Sequence, residues 1–227
     1  MLALALLWSP HPRTALYHLL RQLDFKHPGG RMFTMDEVRH SLQQLAETQQ
    51  VVESSPRQGY YRLTDSLRNV LYEELLDGFE WPLLQRALYE VEGFNPHPAK
   101  NIWPIYERDA TVAIVRLALL TGMPQPEINK MASSISRLMD WQSILDEAVL
   151  HEFSEASFAR IDPAVRWELC YRLIAGFNAY WKPDLLRAVQ WTLAQAESDR
   201  EKMPVHFAWL FPNCCCTGEN EILPDFW

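Results

Sequence analysis

Arg39, His40, Gln43 and Gln44 recur at the one, three and four spacing that gathers side chains on one face of a helix. Their chemistry suits the reading of nucleic-acid bases. An arginine can bridge the edge of a guanine in the major groove, and a glutamine can bridge an adenine. Farther along, Arg57 and Arg62, with Arg68 close by, suit contact with phosphate. The same residues also fit a plainer role, as a solvated helix face and an exposed turn. Asp36, Glu37 and Glu47 share the neighbourhood and would repel phosphates.

These side chains need a helix and a turn to hold them, and residues 34–65 supply both patterns. Thr34 and Glu37 fit a capping box, in which hydroxyl and carboxylate each satisfy a free backbone N–H. Val38, Leu42 and Leu45 then fall at helical spacing, which predicts a helix over 34–50. The period changes after that. Val51 and Val52 favour a strand, Ser54-Ser55-Pro56-Arg57-Gln58-Gly59 is turn chemistry, and Tyr60-Tyr61-Arg62-Leu63 favours a returning strand. An antiparallel pair over 51–63 is expected.

A polar-faced helix feeding a two-stranded hairpin resembles the second half of a winged helix-turn-helix domain. The resemblance covers about the first third of the chain and rests on pattern. It implies a recognition helix presenting Arg39, His40, Gln43 and Gln44 to double-stranded DNA, with Arg57 and Arg62 on the wing. Domains of this type also serve protein contacts. In one respect the sequence departs from the type. The segment before the capped helix, containing Pro28-Gly29-Gly30, is about ten residues, where a helix-turn-helix uses three or four.

Upstream, residues 2–8 are apolar and read as a short turn of helix against the core. Ser9-Pro10-His11-Pro12 stops that segment and starts a helix lined by Ala15, Leu16, Leu19, Leu20 and Leu23. Downstream, helices are predicted over 67–76, ended by Gly78, and over 81–91. Another is expected over 112–120, closed by Gly122, and a long one over 127–150 that has room to break. Further helices start at Asp162-Pro163 and Lys182-Pro183-Asp184. The fold class expected is mainly α: a winged-helix domain over 1–68 with a small hairpin, then an acidic helical, bundle-like domain over 69–227 with an irregular tail.

Charge divides the chain in the same place. Residues 1–68 hold eight Lys and Arg against six Asp and Glu, a net of +2. Residues 69–227 hold thirteen against twenty-three, a net of −10. Only the first part has a balance compatible with phosphate. The whole chain, at −8 and 48% hydrophobic, is not disordered in composition. The run over 110–120 is interrupted by Arg116 and is too short to span a bilayer, and residues 1–8 lack a basic leader. A cytoplasmic, soluble protein without a membrane segment is expected.

Other chemistries find less support. Cys214-Cys215-Cys216 near His206 cannot take separate corners of one tetrahedron, so no metal site is assigned. There is no phosphate-binding glycine loop and no nucleophile elbow, and the paired carboxylates read as solvated helix faces. No enzyme activity and no cofactor are therefore expected. Three function classes stand. The first is a nucleic-acid-binding module whose helical domain dimerises or docks a partner. The second is a protein–protein adaptor or scaffold. The third is the N-terminal regulatory region of a larger ATPase or helicase-like machine, suggested by the apolar finish Pro224-Asp225-Phe226-Trp227.

Trp209 and Trp227 lie in the tail, outside the periodic helices that need tryptophan for their cores, and are the candidate anchors for a protein partner or for self-association. The double substitution Trp209→Ala with Trp227→Ala should weaken association, measured by sedimentation, and leave the thermal melt nearly unchanged. A strict monomer whose melt collapses on that change would make both residues core, at a cost of about 3–5 kcal/mol each.

Overall fold

The computed structural model describes residues 1–53, 59–93, 107–150 and 154–175, with positions 187, 188, 190 and 191. The protein is mainly helical, with one small antiparallel sheet. The chain opens with α1 (Leu2–Ala5), and every residue from 3 to 8 is buried. A two-residue strand, β1 (His11–Pro12), leads into α2 (Arg13–Gln22), with Pro12 as its N-cap. A connection over residues 23–34 reaches α3 (Met35–Glu47), which buries Val38 and Leu42 and half-buries Leu45. The hairpin β2 (Val51–Glu53) and β3 (Tyr60–Leu63) follows at once.

The hairpin strands pair as expected, Val51 opposite Leu63 and Val52 opposite Arg62. The period of two sends Val51, Tyr61 and Leu63 into the core. Sequence pattern did not suggest the third strand. β1 joins the free edge of β3, with His11 opposite Tyr61, so the sheet order is β1-β3-β2. Two residues containing a proline carry no strand pattern. Their pairing is fixed by where α1 and α2 place the chain.

Helix ends are closed by local chemistry. α2, α3 and α6 (Arg108–Leu120) each end with one residue in the left-handed region: Asp24, Gln49 and Gly122. The next N–H then returns five residues back, from Phe25 to the Leu20 carbonyl at 2.9 Å, Gln50 to Leu45 at 3.0 Å and Met123 to Ala118 at 3.0 Å. Gly122 is the natural choice there, because its φ of 74° lies in the left-handed region that side-chain-bearing residues rarely adopt.

Beyond the sheet come α4 (Asp65–Gly78) and α5 (Trp81–Val91). Gly78, expected to end α4, is its last residue, and Thr64 sits at the N-cap without a side-chain capping bond. In α6 every residue from 111 to 120 is buried, as expected of a helix that is apolar all round. The long helix expected over 127–150 breaks. It forms α7 (Gln125–Ile135) and then α8 (Trp141–Leu145), which runs on as a π turn, Asp146–Leu150. Asp140 restarts it, its carboxylate accepting from the Gln142 and Ser143 N–H groups, both at 3.2 Å. α9 (Glu155–Arg160) and α10 (Pro163–Ala175) complete the described helices, the latter capped by Asp162 as its sequence suggests.

α1 packs on α4, α2 on α3 and α5, and α6 on α5, α8 and α9. The charge boundary at 68/69 therefore falls inside a single helix, α4. Trp8 sits at this junction. The Arg68 guanidinium lies 4.3 Å from the Trp8 ring centroid and donates to the Trp8 carbonyl at 3.3 Å. Arg116 of α6 lies 5.3 Å from the same ring and 5.1 Å from that of Tyr72, and it donates to the Ala148 carbonyl and to Asn69. Both arginines are buried, each only 4% exposed. The Trp8 indole N–H donates to Glu147 at 2.8 Å, and Arg108 pairs with that carboxylate. Buried cations are tolerated where ring faces, carbonyls and carboxylates replace lost water.

Removing the ring takes away apolar burial and the ring face that both cations share. Trp8→Ala should lower the unfolding free energy in urea by about 3–5 kcal/mol. Trp8→Phe, which keeps a ring face and loses only the indole donor, should lose less. An unchanged midpoint for Trp8→Ala would contradict this packing.

Candidate functional site

α3 carries the candidate site, and its entry is unusually well fixed. Thr34 is the N-cap, accepting from the Glu37 N–H at 3.3 Å, while the Glu37 carboxylate accepts from the Thr34 N–H at 2.8 Å. The capping box expected from sequence is complete. Glu37 does more than cap. It accepts from both terminal nitrogens of Arg31, and the His27 ring nitrogen lies 3.3 Å away. His27 in turn packs against Phe33, with centroids 3.9 Å apart. One carboxylate thus ties the connection over residues 23–34 onto the start of α3. A bridge between Lys26 and Met32 folds that connection on itself. This explains how a segment far longer than a helix-turn-helix turn still delivers α3 packed against α2.

With Val38 and Leu42 facing inward, Arg39, His40, Gln43 and Gln44 all emerge exposed. The helical spacing places them side by side, and the structure shows two links among the neighbours. Arg39 pairs with Asp36 at 3.1 Å, one turn earlier, and the side-chain amide of Gln44 lies 3.1 Å from His40 Nε2. The site is therefore a polar face with one cation already balanced by an adjacent acid. Such a face can donate and accept in two dimensions, which is what base-edge contact and protein contact both require.

Arg62 stands half-buried on β3, opposite the exposed Val52, on the sheet face turned away from the core. At the neck of the hairpin the Gly59 N–H donates to Glu53 at 2.6 Å, and Gly59 has φ of 78°. That positive φ is one only glycine adopts readily. Arg57 at the hairpin tip, with Trp209, Trp227 and the Cys214-Cys215-Cys216 run, lies outside the described residues. Arg68 is a correction to the phosphate-facing set. It is buried beneath Trp8 and cannot reach solvent from there, so the exposed positive balance of residues 1–68 is smaller than the formal count.

Among the described residues there is no group of three or more His, Cys, Asp or Glu placed to hold a metal ion. No described helix is long and apolar enough to cross a membrane. A cleft of about 10 Å³ between α7, α8 and α10, bordered by Gln125, Asn129, Trp141 and Glu168, has room for about one water. No family model, curated protein or solved structure matches the chain.

The roles of Arg31 and His27 were not visible in sequence. Their signal was a basic residue and a histidine just upstream of a capping-box glutamate, which is too common to weigh alone. The cluster has a measurable consequence. The Arg31 guanidinium above all, then the Thr34 N–H and hydroxyl and His27, hold the Glu37 carboxyl far below its usual value of 4.5. A depressed carboxylate contributes stability that is whole above that usual value and drains away as the pH falls through the folded value. Melting temperature should therefore fall with acid below about pH 5, and Glu37→Gln should flatten that fall. An acid limb as steep in Glu37→Gln as in the wild type would show that the cluster contributes nothing.

Proposed function

We propose that this protein is a nucleic-acid-binding module of the winged-helix type. In this reading α3 is the recognition helix, the β2–β3 hairpin is the wing, and the helices from α4 onward dimerise or dock a partner. The supporting order is α1-β1-α2-α3-β2-β3, with β1 on the free edge of β3. The observation that carries the reading is the exposure of Arg39, His40, Gln43 and Gln44 together on the outer face of a helix whose inner face is core. Double-stranded DNA is the proposed ligand. Arg39 would exchange Asp36 for a guanine edge, and the two glutamines would meet adenines. Arg62 and Arg57 would meet phosphate.

One observation favours a second reading. Asp36 is exposed and paired with Arg39, so the face is close to charge-balanced at its N-terminal end. A balanced polar face also suits a protein partner, and the adaptor class follows from it.

Salt separates the two. Duplex affinity measured by fluorescence anisotropy should fall with salt at a slope of roughly −3 in log K against log concentration, as for three or four phosphate contacts. Arg39→Ala should cost about 1–3 kcal/mol and relax preference at one base position. Arg57→Glu should weaken every sequence alike. No binding at low salt would overturn the DNA reading and leave the adaptor.

A further inference from the structure

His11 is the first residue of β1, and its ring is held between two acceptors. Nδ1 lies 2.9 Å from the carbonyl oxygen of Ser9, and Nε2 lies 3.3 Å from Glu92 Oε1. A carbonyl and a carboxylate can only accept, so the ring satisfies both when both nitrogens carry protons. The pair is secluded, with the side chains 11% and 7% exposed. Glu92 is the C-cap residue of α5, so this contact ties the edge strand of the sheet to the end of that helix.

The groups around the pair are mostly acidic. α6 brings Glu107, its N-cap, and Asp109 in its first turn, and Glu147 lies beyond. Burial raises the Asp109 carboxyl, and the charges of Glu147, Glu92 and Glu107 add to this while Arg108 opposes it. Arg108 is committed to Glu147. From β3 the residue opposite His11 is Tyr61, and Arg13 at the start of α2 is exposed. Among the described residues, the cation set against Glu92 is the His11 ring.

We propose that His11 and Glu92 form a protonation latch that clamps β1, and through it the three-stranded sheet, to the C-terminal end of α5. Loss of the His11 proton leaves a secluded carboxylate among like charges and gives up the ion pair between β1 and α5. β1 is only two residues long, and although α1 and α2 place it beside β3, the ion pair is what ties its His11 side chain to α5, so β3 loses protection along that edge when the pair opens.

Burial alone would lower the His11 value, but the carboxylate of Glu92 3.3 Å away, the Ser9 carbonyl and the charge of Glu107 outweigh it and leave the value raised above 6.5. A raised histidine contributes stability that is whole below its unfolded value and is lost as pH rises through the folded one. The latch is therefore closed in mild acid and opens on the alkaline side.

The test is an NMR titration of the full chain, following His11 and the amide exchange of Tyr61 and Leu63. The His11 midpoint should lie above 6.5 in the wild type and move down in Glu92→Gln. Exchange at β3, corrected for intrinsic base catalysis, should lose protection as pH passes that midpoint, and His11→Gln should show no such step. A midpoint at or below 6.5, or protection that ignores pH in the wild type, would overturn the latch. Both readouts come from the wild type and Glu92→Gln, so the result stands even where His11→Gln does not fold.

Discussion

Two guanidinium groups meet at one indole ring near the junction of the chain's two charge regions. Arg68 from α4 and Arg116 from α6 both face Trp8, which belongs to the apolar segment that opens the chain. A buried cation is costly unless its surroundings replace water. Here the replacements come from ring faces, the carbonyls of Trp8 and Ala148, and the Asn69 side chain. The first eight residues, α4, α6 and the π turn after α8 are thereby held in one arrangement. The sheet and α3 are built outward from it.

That arrangement explains why the candidate site is free to serve something other than folding. α3 is positioned by Val38 and Leu42 below and by the Glu37 cluster at its N-terminus. Arg39, His40, Gln43 and Gln44 add little to either. A face whose residues do not hold the fold together, yet repeat polar, hydrogen-bonding types at every outward position, is the kind of surface that recognition uses. Glu37 works for the fold and the site together. By gathering Arg31, Thr34 and His27 it sets the angle of entry of the helix, and it removes Arg31 from the set of cations available to a ligand.

Sequence and structure agree where the determining chemistry is local. The capping box at Thr34 and Glu37, the Asp162 cap, the α5 helix and the Val51–Leu63 pairing all follow from residues within one short stretch of chain. They diverge where tertiary contact decides. His11–Pro12 has no strand propensity and becomes a strand because β3 offers a free edge. Arg68 looks like a wing residue by position and is instead a buried partner of Trp8, a contact sixty positions away. The charge step at 68/69 is real in sequence, but α4 crosses it without a break. Of the candidate site, the exposed face of α3 was legible from helical spacing alone. The acid beside Arg39 was visible too, though not that the two would pair.

We propose that the outer face of α3 is the surface that meets a duplex. It is tested most directly by NMR of the full chain carrying labelled arginine, histidine and glutamine side chains, titrated with short duplex DNA at low salt. The account predicts shifts concentrated on Arg39, His40, Gln43 and Gln44 with weaker ones at Arg62, while Arg68 and Arg116 stay still. Shifts absent from α3 at every ratio, or gathered on α7 to α10, would contradict it.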